Sequence, residues 1–210
     1  MQQTSDNSCK PSGARDCGHR IFALIFAMAL TLLPGQSIAK VYFTPDKAQK
    51  ICFPKADRFE QKTVRYSGEQ MKAIKKASGV EVQIPGTRYA LAWQGKQLAG
   101  VVVFDYVLGK SEVIDYCIAL TPDGVVKQIE ILQYRESHGY EIRRPGWRKQ
   151  FSGKTSIANL RLHGDIANIS GATISCRNIT SGVKRVLHTW YLVLHPAIVA
   201  STQLSDDGRK

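Results

Sequence analysis

Toward the C-terminal end of the chain, Asp165-Ile-Ala-Asn-Ile-Ser170-Gly171-Ala172-Thr173-Ile174-Ser175 leads straight into a helical pattern. These residue types suit an anion. Backbone N–H groups at a helix start point outward with the positive end of the dipole, Gly171 and Ala172 allow close approach, and the hydroxyls of Ser170, Thr173 and Ser175 add donors. The same residues equally describe a well-capped helix, in which Thr173 or Ser175 accepts from its own N–H groups and holds nothing. A second polar stretch, Tyr134-Arg-Glu136-Ser137-His138-Gly139-Tyr-Glu141, follows a run of strands. Charged, glycine-containing connections at strand ends are where sites tend to sit.

Other chemistry is poorly represented. His138, His163 and His188 have no spacing that makes a metal site, and no cysteine pair is spaced as CxxC. Ser137 and Ser152 lack a GxSxG context, and the nicotinamide fingerprint GxGxxG is absent. Cys176, near the start of the last helix, stands without a CxxC partner and reads as structural.

The elements that must position these residues follow from periodicity. Thr44 to Phe53 starts with a Thr cap and a Pro at the first helical position and places Ala48, Ile51 and Cys52 on one face, so a short helix is expected before Pro54. Ser67 to Ala77 repeats the pattern with Met71 and Ile74, ending at Gly79. From Arg88 the period changes to that of strands: RYALAWQ, LAGVVVFDYVL, EVIDYCIAL and VVKQIEILQY are joined by short turn-forming loops, which predicts an antiparallel meander with VVVF in a central strand. VVKQIEIL is expected to alternate, with Val125, Lys127, Ile129 and Ile131 opposite Val126, Gln128, Glu130 and Leu132. A short helix is expected from Pro145. The longest helix is expected over Ser175 to Leu194, with Ile179, Val183, Val186, Leu187, Trp190 and Leu194 on one face and a break at His195-Pro196. The fold class is α+β: an antiparallel meander packed with helices, the long C-terminal helix following the Ser-Gly-Ala-Thr motif.

The first residues speak of compartment. Ile21 to Pro34 is an apolar run preceded by Lys10, Arg15 and Arg20 and followed by Ser37 and Ala39, the order of a secretory signal peptide cleaved after Ala39. Residues 1–39 are thus read as a leader and 40–210 as one domain, about 170 residues, enough to bury a sizeable core. The expected location is periplasmic or otherwise extracytoplasmic. Of five cysteines, Cys52, Cys117 and Cys176 remain after cleavage and permit at most one intramolecular bridge. The sequence carries a net charge of +12; export argues against nucleic acid as a partner and leaves an anionic membrane surface, an acidic protein or simple solubility as its use.

Ser170-Gly171-Ala172-Thr173, followed by an aliphatic residue and Ser175 at the start of the last helix, resembles the attachment motif of the FMN-binding domain family. That family includes the covalently flavinylated subunits of the sodium-translocating NADH:quinone reductase and the Rnf complex, and the extracytoplasmic part of the nitrous-oxide-reductase regulator. Tyr134 to Glu141, with Trp147, Gln150-Phe151 and Gly153-Lys154, is similar to the segment these domains carry after their last meander strand, and Phe53-Pro54-Lys55-Ala56-Asp57 also matches their pattern. The resemblance spans Thr44 to Leu194.

The resemblance implies that a separate flavin transferase moves the FMN half of FAD onto the Thr173 hydroxyl as a phosphoester. It also implies that Ser170, Gly171, Ala172 and Ser175 hold the phosphate, and that Glu136, Ser137, His138 and Gly139 approach the flavin. The chain departs from the family where an acidic residue normally precedes the motif serine: Ala167 and Asn168 hold those places, and the nearest acid is Asp165. The implied role is an electron carrier exchanging with a membrane-associated donor or acceptor; the alternative is a noncovalent FMN-binding sensor or regulatory module. Arg143, Arg144, Arg148 and Lys149 read as a solvated face, or as a dock for an acidic electron-transfer partner.

Overall fold

Strands form where β-branched and aromatic residues concentrate, and they pair in chain order. In the computed structural model β2 (Arg58–Arg65), β3 (Gly86–Gln94), β4 (Gln97–Leu108), β5 (Val113–Leu120) and β6 (Val126–Tyr134) make an antiparallel meander, and the two-residue β1 (Lys40–Val41) adds to its edge. The sheet order is β1-β6-β5-β4-β3-β2. The structure describes residues 40–136 and 138–207; the apolar run 21–34, the cleavage position after Ala39, and Ser137 lie outside the described residues.

The four strands expected from Arg88 onward are β3 to β6, with Val101, Val102 and Val103 fully buried in β4. The strict alternation expected of β6 does not hold. Val126, Ile129 and Ile131 share one core, because the register against β5 shifts beside Ala119/Leu120 and again beside Asp115/Tyr116. A shift of this kind inserts a residue and moves those after it to the other face.

One face of the sheet is covered by the long helix α4 (Thr173–Thr189), which buries Ile179, Val183, Val186 and Leu187 against Leu91, Val103, Ile118 and Ile131. Gly182 lets it lie close, since a Cβ there would strike the Tyr116 hydroxyl and Val107. The opposite face carries α1 (Pro45–Cys52), begun by the Thr44 side chain accepting from the Lys47 N–H and by Pro45 in the first turn. Its buried residues are Ala48, Gln49 and Cys52, with the expected Ile51 turned outward. Between β2 and β3, α2 (Gly68–Ser78) has a Ser67/Gln70 capping box and ends at Gly79.

After β6 come a 3₁₀ turn (Tyr140–Arg143), the short α3 (Pro145–Arg148) and a second 3₁₀ turn (Lys149–Phe151). The helix expected from Ser175 begins two residues earlier, at Thr173. The break expected at His195-Pro196 does not occur. A π-helical turn (Trp190–Leu194) follows α4, the His195 N–H bonds the Trp190 carbonyl five residues back, and α5 (His195–Asp207) continues through Pro196. The widened turn shifts the hydrogen-bond register where the proline ring enters, which relieves its usual clash with the preceding turn. The architecture is α+β, as the sequence pattern implies.

Candidate functional site

The two polar stretches, separated in sequence by the 23 residues between Glu141 and Asp165, meet at the N-terminal end of α4. Gly139 adopts φ +90°, and a Cβ there would come within 2.6 Å of the Tyr134 hydroxyl and 3.3 Å of the Ala172 Cβ. The left-handed backbone and the lack of space both call for glycine. Tyr134, at the end of β6, donates to the His138 carbonyl at 2.5 Å, and its oxygen lies 3.2 Å from Ser175 Oγ. With the phenolic proton committed to His138, the Ser175 hydroxyl is the donor in the second bond. Burial raises the Tyr134 pKa above the ordinary range, the Ser175 hydrogen bond opposes this, and the Glu136 and Glu141 carboxylates add to the rise. The phenol therefore keeps its proton at neutral pH.

The motif lies open on its outer side. No side chain caps α4, whose N-cap is Ala172, so neither Thr173 nor Ser175 satisfies the first turn as the well-capped reading requires. Gly171 adopts φ +82°, and a Cβ added to it would meet nothing within 4 Å. Ser170 and Gly171 are exposed, Thr173 is half-buried, and Ala172 and Ser175 are buried. Asn168 Nδ2 donates to Thr173 Oγ1 at 3.0 Å, while Asn168 Oδ1 is buried and has no hydrogen-bond partner among the described residues.

The loop ahead of the motif is held from both sides. Trp147 Nε1 donates to the Ala167 carbonyl at 2.8 Å, and the Ala167 N–H donates to Gln150 Oε1 at 2.7 Å. Asp165 accepts from the Leu160 and Arg161 N–H groups and from Lys154 Nζ. Burial alone would raise the Asp165 carboxyl, but the Arg161, Lys154 and Leu160 hydrogen bonds hold it below the usual range. Leu160 and His163 adopt positive φ, 43° and 63°, in the turn that Asp165 braces. Backbone strain of this kind collects beside functional sites.

The remaining candidates make contacts of their own. Glu136 Oε1 accepts from the Ser111 and Glu112 N–H groups at 2.6 and 2.9 Å, so its carboxylate secures the β4–β5 turn. Asn178 Nδ2 ties α4 to the same end of the sheet through the Leu108 carbonyl. His138 is exposed and contributes its carbonyl to Tyr134. Cys176 is buried, which raises its pKa. Of the basic cluster, Arg148 pairs with Glu130 and donates to the Ile129 and Arg143 carbonyls, and Arg143 lies over the Tyr42 ring. Those two are structural; Arg144 and Lys149 are exposed.

A cleft of about 760 Å³ opens elsewhere, lined by Tyr66, Phe104, Asp105, Tyr116 and Arg185, and none of the motif residues borders it. Tyr134, Trp147 and Gln150 are the residues that composition and spacing did not single out for a role. All three belong to the stretch that carries the resemblance.

Residues 109–188, from the β4–β5 turn to the last turn of α4, match the model of the FMN-binding domain family. The chain carries an FMN-binding domain. Over 176 residues, 80% of this chain and 90% of the relative, the sequence is 26% identical to a subunit of the proton-translocating ferredoxin:NAD(+) oxidoreductase complex of Clostridium ljungdahlii. The crystal structure of Shewanella oneidensis NqrC is 17% identical and aligns over 71% of this chain and 84% of that one, with a TM-score of 0.44. The matched FMN-binding domain contains both stretches that meet at the start of α4. Among the described residues no helix is long and apolar enough to cross a membrane.

The arrangement fits FMN. An uncapped helix N-terminus offers N–H donors to a phosphate, Gly171 leaves room beside it, and Asn168 Oδ1 is an acceptor awaiting a donor.

Proposed function

We propose that this domain carries FMN phosphoester-linked to Thr173 and relays electrons in an extracytoplasmic redox chain. The observation that carries this reading is the uncapped start of α4 with Thr173 as its first residue and its hydroxyl hydrogen-bonded to Asn168. Attachment would form a bond from Thr173 Oγ1 to the FMN phosphorus and break the pyrophosphate of FAD, with AMP leaving, on a separate flavin transferase. Ser170, Gly171 and the first-turn amides would hold the phosphate. Buried Ala172 and Ser175 would support them from beneath, with Tyr134 locking Ser175 to the His138-Gly139 turn. Glu136 would act by securing the β4–β5 turn, and His138 and Gly139 would border the flavin.

FMN supplies electron transfer through its ring system, which a phosphate linkage leaves electronically free. The chain's own task is to hold and orient it. The similarity to a subunit of a ferredoxin:NAD(+) oxidoreductase complex supports an electron donor or acceptor within a membrane complex. The leader-like order of residues 21–39 supports location outside the cytoplasm.

The test is coexpression with a flavin transferase followed by denaturing electrophoresis under ultraviolet light. A fluorescent band that Thr173→Ala abolishes and Thr173→Ser retains is the expected result. A dark wild-type band refutes covalent loading. If the native protein is nevertheless yellow and releases its flavin on acid precipitation, the noncovalent module replaces it.

A further inference from the structure

Cys52, Cys117 and Cys176 are the cysteines among the described residues, and all three are fully buried. The sheet divides them. Cys176 lies in the core beneath α4, whereas Cys52, the last residue of α1, and Cys117, in β5, share the apolar cluster on the opposite face with Phe53, Val102 and Leu132. There the two thiols are neighbours in one buried cluster. A hydrogen bond with Cys52, then burial, holds the Cys117 thiol well above its ordinary range. Gln128 Nε2 donates toward Cys52 Sγ at 3.7 Å and toward Glu130 Oε1 at 3.2 Å, so Cys52 is held in place from the β6 side.

Among the three cysteines of the described residues three pairings are open, and the side of the sheet decides among them. We infer that Cys52 and Cys117 are a disulfide-forming pair that fastens α1 to the sheet, leaving Cys176 a free thiol. Bridging requires sulfurs that already face each other, because deviation from the narrow disulfide geometry stores strain. Cys176 cannot reach either partner without crossing the sheet. The bridge closes a long loop, from α1 through β2, α2, β3 and β4 to β5, and long loops restrict the unfolded chain most.

The oxidant is a small or protein disulfide of the kind an oxidising compartment supplies. The Cys52 thiolate attacks one sulfur of the oxidant and expels the other as a thiolate. The Cys117 thiolate then displaces the remaining half. Two protein thiols and one oxidant disulfide give one protein disulfide and two free thiols, with two electrons passed to the oxidant. Both sulfurs are shielded from solvent, so the reaction proceeds through transient lifting of α1, an eight-residue helix held on this face by a few apolar side chains.

The experiment uses the reduced full chain with oxidised glutathione, with and without urea below the unfolding transition. The reaction is quenched in acid, and the protein is unfolded, alkylated with N-ethylmaleimide and peptide-mapped. The expected product is a peptide joining Cys52 to Cys117 with Cys176 alkylated, formed faster in urea. The urea midpoint of the oxidised protein should rise and return with dithiothreitol, and Cys52→Ala should show no such difference between oxidising and reducing conditions. Comparing the two conditions within each variant keeps the result readable even if the substitution itself lowers stability. Alkylation of both Cys52 and Cys117 after oxidation overturns the inference. So does arrest at a glutathione adduct, a linkage of either residue to any other cysteine, or a wild-type midpoint that does not move. None of these outcomes depends on flavin loading.

Discussion

Tyr134 Oη and Ser175 Oγ lie 3.2 Å apart, joining the end of the last strand to the first turn of the long helix. Because the same phenol donates to the His138 carbonyl, a single side chain sets the distance between the two polar stretches of the FMN-binding domain. Tyr134→Phe keeps the ring and removes both bonds. A hydrogen bond is worth about 1 kcal/mol net, and the acceptor and hydroxyl left behind add a comparable cost, so the variant should lose roughly 2 kcal/mol in urea unfolding and still fold. Its flavin loading should fall severalfold relative to wild type at equal folded protein. Unchanged loading and stability would show that the two stretches keep their positions without this link.

Asn168 occupies one of the places where the resemblance leads one to expect an acid, and its amide donates to Thr173 Oγ1. As an amide it donates to Oγ1 and leaves its own Oδ1 buried without a partner among the described residues. Asn168→Asp replaces the donor by an acceptor, so Thr173 becomes the donor and its proton gains somewhere to go. Loading by the transferase should therefore quicken in Asn168→Asp and slow in Asn168→Ala, read as the rate of appearance of the fluorescent band. Equal rates in all three proteins would remove Asn168 from any part in attachment.

How much of this was legible in the chain depends on the range of the interactions. β3 to β6 were readable because their apolar periodicity is strong and their turns carry Gly95, Pro122 and Gly124. β2 was not, because RFEQKTVR offers only Phe59 and Val64 as apolar residues and forms as the edge strand by pairing with β3. The motif around Thr173 was legible as a helix start. Its supports were not: Glu136 engages a turn 24 and 25 residues away, and Tyr134 meets Ser175 across 41. Contacts over such separations follow from strand register, which the β6 irregularities shift in ways that residue pattern alone does not reveal.

Arg185 and Asp105 form a nearly buried pair, with Arg185 Nη2 2.7 and 3.0 Å from the two carboxylate oxygens and the Tyr116 hydroxyl donating to the same group. Arg185→Met leaves the Asp105 charge without its cation and should cost about 3 to 5 kcal/mol, whereas Arg185→Met with Asp105→Leu should recover most of that loss. Urea unfolding of the two variants checks both halves. Arg185 lies twelve residues beyond Thr173, about 18 Å along the helix, so flavin loading per folded molecule should match wild type in the double variant.

Alkaline pH offers a test of the same region. Burial pushes Tyr66 up to about 12, with the Thr87 hydrogen bond opposing and the Asp105 charge adding to the rise. Tyr116, fully buried and hydrogen-bonded to Asp105, is raised well above the ordinary range by burial first and the carboxylate second. In the unfolded chain each tyrosine ionises near ~10. Between that value and about 12 the unfolded state therefore binds fewer protons than the folded state, and stability falls as pH rises. Below ~10 the contribution of these neutral phenols is fully present. Tyr66→Phe removes one such proton and should lessen the fall by up to about 1.4 kcal/mol per pH unit across this window. Urea midpoints at several alkaline pH values measure it, with tyrosinate absorbance as the independent readout. Identical slopes in wild type and variant would mean that Tyr66 ionises in the folded protein as readily as in water, contrary to its position against Thr87 and the Asp105–Arg185 pair.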